Sequence, residues 1–240
     1  MEQDIVKYEP IIYMDKKEPF RLKKIGFTEY SEDGARSSSF NRAFDFGNYP
    51  KAVRVLEYVY YLDYDIQHLY DLEHIWIYVD KNGAVVGAEG SYHGRFLCAY
   101  RKDNSSFAIK RAVARPEIEN KSHVVMYSQP GKHAMLASPE LMWIYPELFT
   151  ACGRLSGING LDAPERYLEG IKISDEDNRR IAEYIKANYS FVPSMEFVRC
   201  DISDGDYVRL QDLQEMIPGF IKAELDKLGV DYGGQVYKDW

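Results

Sequence analysis

Between Asp63 and His74 the chain places four carboxylates, Asp63, Asp65, Asp71 and Glu73, and two imidazoles, His68 and His74. The run Ile75-Trp76-Ile77-Tyr78-Val79 follows at once, rich in β-branched and aromatic residues and readable as a buried strand. Side chains alternate along a strand, so Asp71 and Glu73 leave from one face, and His68 can curl back over them from the preceding loop. Two neighbouring carboxylates repel unless a cation or a shared proton lies between them. His68, Asp71 and Glu73 are therefore candidate ligands of a divalent metal, with Asp63 or Asp65 as the fourth. The competing reading is a solvated acidic loop ahead of a strand. All five histidines lie between positions 68 and 133, which favours the metal.

The elements that would hold these groups can be read from pattern. Val53 to Tyr61 is dense in β-formers and predicts a strand ending near Leu62. The acidic loop and the Glu73 to Val79 strand come next, and Asp80-Lys81-Asn82-Gly83 supplies a turn into a returning strand over Ala84 to Glu89. If Lys81-Asn82-Gly83 is a three-residue loop with Gly83 left-handed, Asp80 pairs with Ala84, and counting back sets His93 opposite Asp71, facing the metal. A two-residue loop would turn His93 away. Ser122 to Ser128 alternates as a strand closed by Gln129-Pro130-Gly131, with His133 just beyond.

Elsewhere, Tyr8 to Phe20 reads as a first strand, with Gly26 to Tyr30 its expected partner. Leu141 to Phe149 is ambiguous between strand and short helix, and Gly153 to Gly160 matches no phosphate-binding pattern. Ser174-Asp175-Glu176-Asp177 caps a helix running to about Asn188. A last helix is expected from Tyr207 to Leu228, kinked by Pro218, with a tail from Gly229 onward. These patterns predict one α+β domain over residues 1–240, mainly β. Its core is a sandwich of antiparallel strands over 8–137, and a helical extension over 163–230 packs on it.

Composition narrows the function. The net charge of -8 and the lack of a basic cluster oppose a nucleic-acid partner. No apolar run approaches the ~18 residues that span a bilayer, and Met1-Glu2-Gln3-Asp4 does not resemble a secretory signal. Cys98, Cys152 and Cys200 are odd in number and far apart, which suits reduced thiols. The expectation is a cytoplasmic protein without a transmembrane segment.

The order His68-x-x-Asp71-x-Glu73, then Ser91-x-His93-Gly94, then Val124-Val125-Met126-Tyr127 leading to Gly131-Lys132-His133-Ala134, resembles the necrosis-inducing protein family and its relatives among vacuolar protein-sorting-associated domains. Tyr8-Glu9-Pro10-Ile11-Ile12 with Glu18 a few residues on is similar to the entry segment of those relatives. The family pattern has Gly and Trp where this chain has Gln67 and Leu72. The likeness covers about residues 8 to 137. It implies a β-sandwich with a divalent cation at one end, bound by His68, Asp71, Glu73 and an aspartate of the preceding loop, Asp63 or Asp65. His93 and His133 would line the cavity.

Such ligands suit magnesium, calcium or manganese, with zinc competitive if His93 coordinates. Three functions follow. The first is a metal-dependent binding protein for a glycan or lipid head-group-like, hydroxyl-rich ligand, aided by Tyr58, Tyr60, Tyr61, Tyr64 and Tyr70. The second is a metal-dependent hydrolase with His93 or His133 as acid or base and Lys132 as a stabilising charge. The third is an interaction module with a structural metal.

Overall fold

The computed structural model describes residues 2–49, 51–102, 112–114, 122–145, 147–203 and 206–233. In chain order the elements are α1 (Glu2–Tyr8), β1 (Ile11–Asp15), β2 (Lys24–Tyr30), β3 (Ala52–Tyr64), β4 (His68–Asp80), β5 (Val85–Tyr92), β6 (Arg95–Arg101), β7 (Ala112–Ala114), β8 (Ser122–Ser128), β9 (Met135–Leu136), α2 (Leu148–Ala151), β10 (Gly160–Leu161), α3 (Asp175–Tyr189), β11 (Phe197–Arg199), β12 (Tyr207–Arg209) and α4 (Leu210–Lys227). They build two sheets of mostly antiparallel strands with helices beside them. One sheet runs β11-β1-β8-β7 with β9 on β8. The other runs β12-β2-β3-β4-β5-β6 with β10 on β4.

The long β3–β4 hairpin is the frame of the larger sheet. Its register pairs Leu62 with Asp71, Tyr58 with Ile75 and Leu56 with Ile77. Because strand side chains alternate, Asp71 and Glu73 share the face of Ile75, Ile77 and Val79, which belongs to the main core together with Val124 and Met126 of the smaller sheet. His74, Trp76 and Tyr78 take the other, outer face. That face is covered at one end by the segment 31–49, through Phe44 and Tyr49, and at the other by α4. Gly26 allows α4 to lie this close: a Cβ there would stand 2.8 Å from a Leu213 methyl and 3.2 Å from the Leu210 Cα.

Several expectations change here. The strand expected from Glu73 begins earlier, at His68, so Asp71 lies within it and not in a loop before it. β1 does not pair with β2. It lies parallel to β8 and antiparallel to β11, while β2 pairs with β3 and β12. The C-terminal third supplies more than helices, since β10, β11 and β12 join the sheets. Residues 207–209 form β12, so the last helix starts at Leu210, with Pro218 inside it. The ambiguous 141–149 stretch is a 3-10 turn over Pro139–Ile144 followed by α2. The helix capped by Ser174 forms as expected, its hydroxyl accepting from the Asp177 amide. Residues 103–111, 115–121 and 234–240, part of the unread 95–115 stretch and of the C-terminal tail, lie outside the described residues. Among the described residues no helix is long and apolar enough to cross a membrane.

Candidate functional site

A break in one strand's pairing creates the site. Along one edge of β4, β10 pairs with His68 and Leu69, and β5 pairs from Ile75 to Val79. Tyr70 to His74 have neither neighbour there, and a cavity of about 340 Å³ opens beside them. Side chains take over part of the missing ladder. Ser91 Oγ accepts the His74 amide at 2.7 Å, and Asp71 Oδ1 accepts the Leu72 amide at 2.9 Å. Tyr70 lies in this gap with φ 89, a conformation that disfavours any residue with a Cβ.

Asp71 and Glu73 line the cavity, each with a neutral or cationic neighbour of its own. Asp71 Oδ2 accepts from His133 Nδ1 at 2.7 Å, and the other edge of that imidazole, Nε2, stands 3.4 Å from Glu18 Oε1. Glu18 is fixed by the Gly131 amide, which donates to its Oε2 at 2.8 Å. Burial draws the His133 imidazole toward neutrality, but Glu18 and Asp71 outweigh it and raise the pKa to about 10. His133 is an imidazolium clamped between two carboxylates. Glu73 accepts from the Ser91 hydroxyl. Burial, reinforced by the negative charge of Asp71, pushes the Glu73 carboxyl up to about 8.

Asp65 has a different task. Its Oδ1 accepts the Gln67 amide at 2.6 Å and the His68 amide at 2.8 Å, closing the β3–β4 loop. Its Oδ2 meets the Lys132 ammonium and lies 3.3 Å from His68 Nε2. The Lys132 ammonium is raised despite its burial, because Asp65, Asp71 and Glu73 surround it. His68 lines the cavity, and its Nδ1 is buried without a hydrogen-bond partner.

Asp63 is not part of the site. Lys23 Nζ donates to both of its oxygens, at 2.7 and 2.8 Å, and burial outweighs that contact to leave its carboxyl raised. A one-residue difference along β3 decides this: Leu62 and Tyr64 point into the core, so Asp63 points out of it.

His93 reaches the cavity by another route than the expected register. Asp80 and Ala84 do close the loop as anticipated, with the Asp80 amide 2.9 Å from the Ala84 carbonyl and Gly83 at φ 78. A bulge between Tyr78 and Val79 then shifts the pairing by one residue, so His93 does not stand opposite Asp71. It sits instead in the two-residue His93-Gly94 turn between β5 and β6, with φ 47 and 73. From there its Nε2 bonds Gln129 Oε1 at 2.9 Å, Tyr145 stacks on its ring at 4.8 Å, and burial lowers its pKa. The ring lines the cavity.

His133, expected to line the same space, is 1% exposed and stands behind Asp71. The tyrosine expectation also narrows. Tyr58, Tyr60, Tyr61 and Tyr64 are core residues, and only Tyr70 of the five borders the cavity. Spacing does not single out Glu18, Ser91, Gln129 or Arg166 as site groups. Ser91 lies inside the Ser91-x-His93 motif, and Glu18 in the segment that resembles the family's entry. Arg166 has no local signal at all.

Asp71 and Glu73 carry the oxygen donors a hard cation takes, whereas His68, whose Nδ1 has no hydrogen-bond partner, offers an imidazole nitrogen, a donor of the kind zinc takes. Two of the five candidates are committed elsewhere: Asp63 to Lys23, Asp65 to Lys132 and the loop amides. Among the described residues no three or more His, Cys, Asp or Glu side chains are grouped so as to hold a metal ion. The chain matches no family model, no curated protein and no solved structure.

Proposed function

We propose that the cavity beside β4 is a binding site for a hydroxyl-rich ligand of the glycan or lipid head-group type, with a divalent cation held by Asp71, Glu73 and His68. One observation carries this reading. Two carboxylates adjacent on one strand face open onto a cavity that also receives an imidazole whose Nδ1 has no partner. The ordered motifs that resemble those of the necrosis-inducing proteins support the same three positions. A bound cation would supply an acidic point for ligand hydroxyls to coordinate. The protein's own part is to fix the carboxylates: His133 and Glu18 orient Asp71, and Ser91 orients Glu73. Magnesium, calcium and manganese suit this set better than zinc, because His93 Nε2 is engaged by Gln129.

Elemental analysis of the purified protein, with calorimetric titration of hexoses and soluble lipid head groups before and after chelation, tests the proposal. Stoichiometric metal and chelator-sensitive binding, both lost in Asp71→Asn, are the expected result. Binding that persists in chelator removes the cation from the account.

A second reading, hydrolysis, is favoured by one detail: His93 borders the cavity as a hydrogen-bonded imidazole kept neutral by burial, as a general base requires. His133 is unsuited to that role, being enclosed behind Asp71 and held charged by two carboxylates. Turnover of phosphoester, ester or glycoside substrates with added manganese, abolished in His93→Gln, would establish it. No turnover in the wild-type chain would discard it.

A further inference from the structure

One cation at the cavity belongs to the chain itself. Lys132 lines the space together with Asp71, Glu73 and His68, and its ammonium meets Asp65 Oδ2, the oxygen that also stands 3.3 Å from His68 Nε2. Asp65 is thus committed to Lys132 although it lies beside a candidate metal ligand. Burial works against the charge of the ammonium, and Asp65, Asp71 and Glu73 together outweigh it. The neighbouring cation, His133, has no freedom to yield: it is 1% exposed and faces Asp71 on one ring edge and Glu18 on the other. Lys132 differs, since it reaches the cavity on a flexible four-carbon stem.

The backbone beneath that stem is fixed. The Gly131 amide donates to Glu18 Oε2 at 2.8 Å, and the Gly131 carbonyl accepts the Ile66 amide at 2.7 Å. The Lys132 and His133 amides both donate to the Gln129 carbonyl, at 3.2 and 2.8 Å. With the turn pinned on both sides, rotation of the side chain is the way for the ammonium to leave Asp65, and the cavity is the space it turns into. We infer that Lys132 is a built-in competitor of the divalent cation: it holds Asp65, the fourth ligand, and the full ligand set forms only when the ammonium swings off that oxygen. The inference rests on the metal reading above and adds the residue that sets the affinity. An ammonium and a divalent ion over one group of carboxylates repel each other, so each weakens the hold of the other. A purely structural tie would behave in the opposite way. Lys132 would then only fasten the β3–β4 loop to the 129–133 turn, and its removal would loosen Asp65 and weaken any cation site.

Titration of the chelator-stripped full chain with manganese, calcium and zinc, in wild type, Lys132→Met and the double variant Lys132→Met/Asp65→Asn, tests it. Lys132→Met is expected to bind at least one of these ions about tenfold or more tightly than wild type. Adding Asp65→Asn should remove that gain, because Asn keeps an oxygen for the Gln67 and His68 amides but not the charge. In wild type, reductive methylation of Lys132, followed by mass spectrometry, should speed up as the ion is added. Binding by Lys132→Met with none by wild type supports the inference and overturns the cation-dependent function proposed for the natural chain. Equal or weaker affinity in a folded Lys132→Met protein overturns the inference and leaves the metal reading in place. A gain that survives Asp65→Asn overturns it too. No binding of any ion by either protein overturns both. If Lys132→Met does not fold, the wild-type labelling decides: Lys132 that stays protected while the ion binds overturns the inference.

Discussion

The two faces of β4 bury carboxylates in opposite ways. On the outer face Glu57 accepts from Ser37, Trp76 and Tyr30, while Glu89 accepts from Tyr49, Tyr78 and Arg42, whose guanidinium lies against the rings of Trp76 and Phe96. Every carboxylate oxygen there has a donor. The result is a clamp that fastens the 31–49 segment to the sheet. On the inner face Asp71, Glu73, Asp65 and Glu18 share Lys132 and His133, and buried atoms remain unmatched: Glu18 Oε1, His133 Nε2 and His68 Nδ1 have no hydrogen bond. Arg42 Nε and Nη1 and His74 Nδ1 on the outer face are unmatched as well, so the contrast lies in the carboxylates: those of the outer face have a donor on every oxygen and are closed off, whereas Asp71 and Glu73 line a cavity open to a ligand.

The largest effect that would sharpen this contrast comes from the clamp. Arg42→Met should cost about 3–5 kcal/mol in urea unfolding, because Glu89 keeps its charge without a cation, and any binding at the cavity should persist in the folded fraction. A cost near zero would dissolve the distinction between the two faces.

The inner cluster should make stability fall as pH rises. A raised imidazole contributes fully below its ordinary value of 6.5 and loses that contribution as pH climbs through the folded value of about 10. Glu73 acts in the same direction, since its proton is held in the folded state between 4.5 and about 8. Unfolding free energy measured in chelator should therefore decline from pH 4.5 toward 10, by an amount on the order of a few kcal/mol. His133→Gln should flatten the upper part of that curve. An unchanged slope in the variant would show that His133 does not bear the charge.

Lys132→Met comes next, with an expected loss of about 1–3 kcal/mol from leaving Asp65 without its ammonium. If Lys132 competes with a cation for these oxygens, the variant should bind manganese more tightly than wild type, as read by titration. Smallest of all, Asp63→Asn should change stability by no more than about 1 kcal/mol, since its pairing with Lys23 is partly exposed, and should leave cavity binding untouched.

Much of the local structure was legible in the residues themselves. Alternation put Asp71 and Glu73 on one face, Gly83 closed its turn, Ser174 capped its helix, and Ser122 to Ser128 formed a strand with the expected limits. These are short-range consequences of side-chain size, branching and glycine's freedom, and they are written within a few positions of where they act. The site was legible only in part. His68, Asp71, Glu73 and His93 do reach one cavity, but the bulge at Tyr78/Val79 and the outward turn of Asp63 left no mark in the spacing.

What neutralises the carboxylates was decided by the tertiary structure alone. Asp71 meets a histidine 62 positions away and Asp65 a lysine 67 positions away. The sequence determines which groups stand side by side on one strand. Which charges come to face them depends on how strands distant in the chain are brought together. That pairing is set by burial of the whole core, not by any residue near the site.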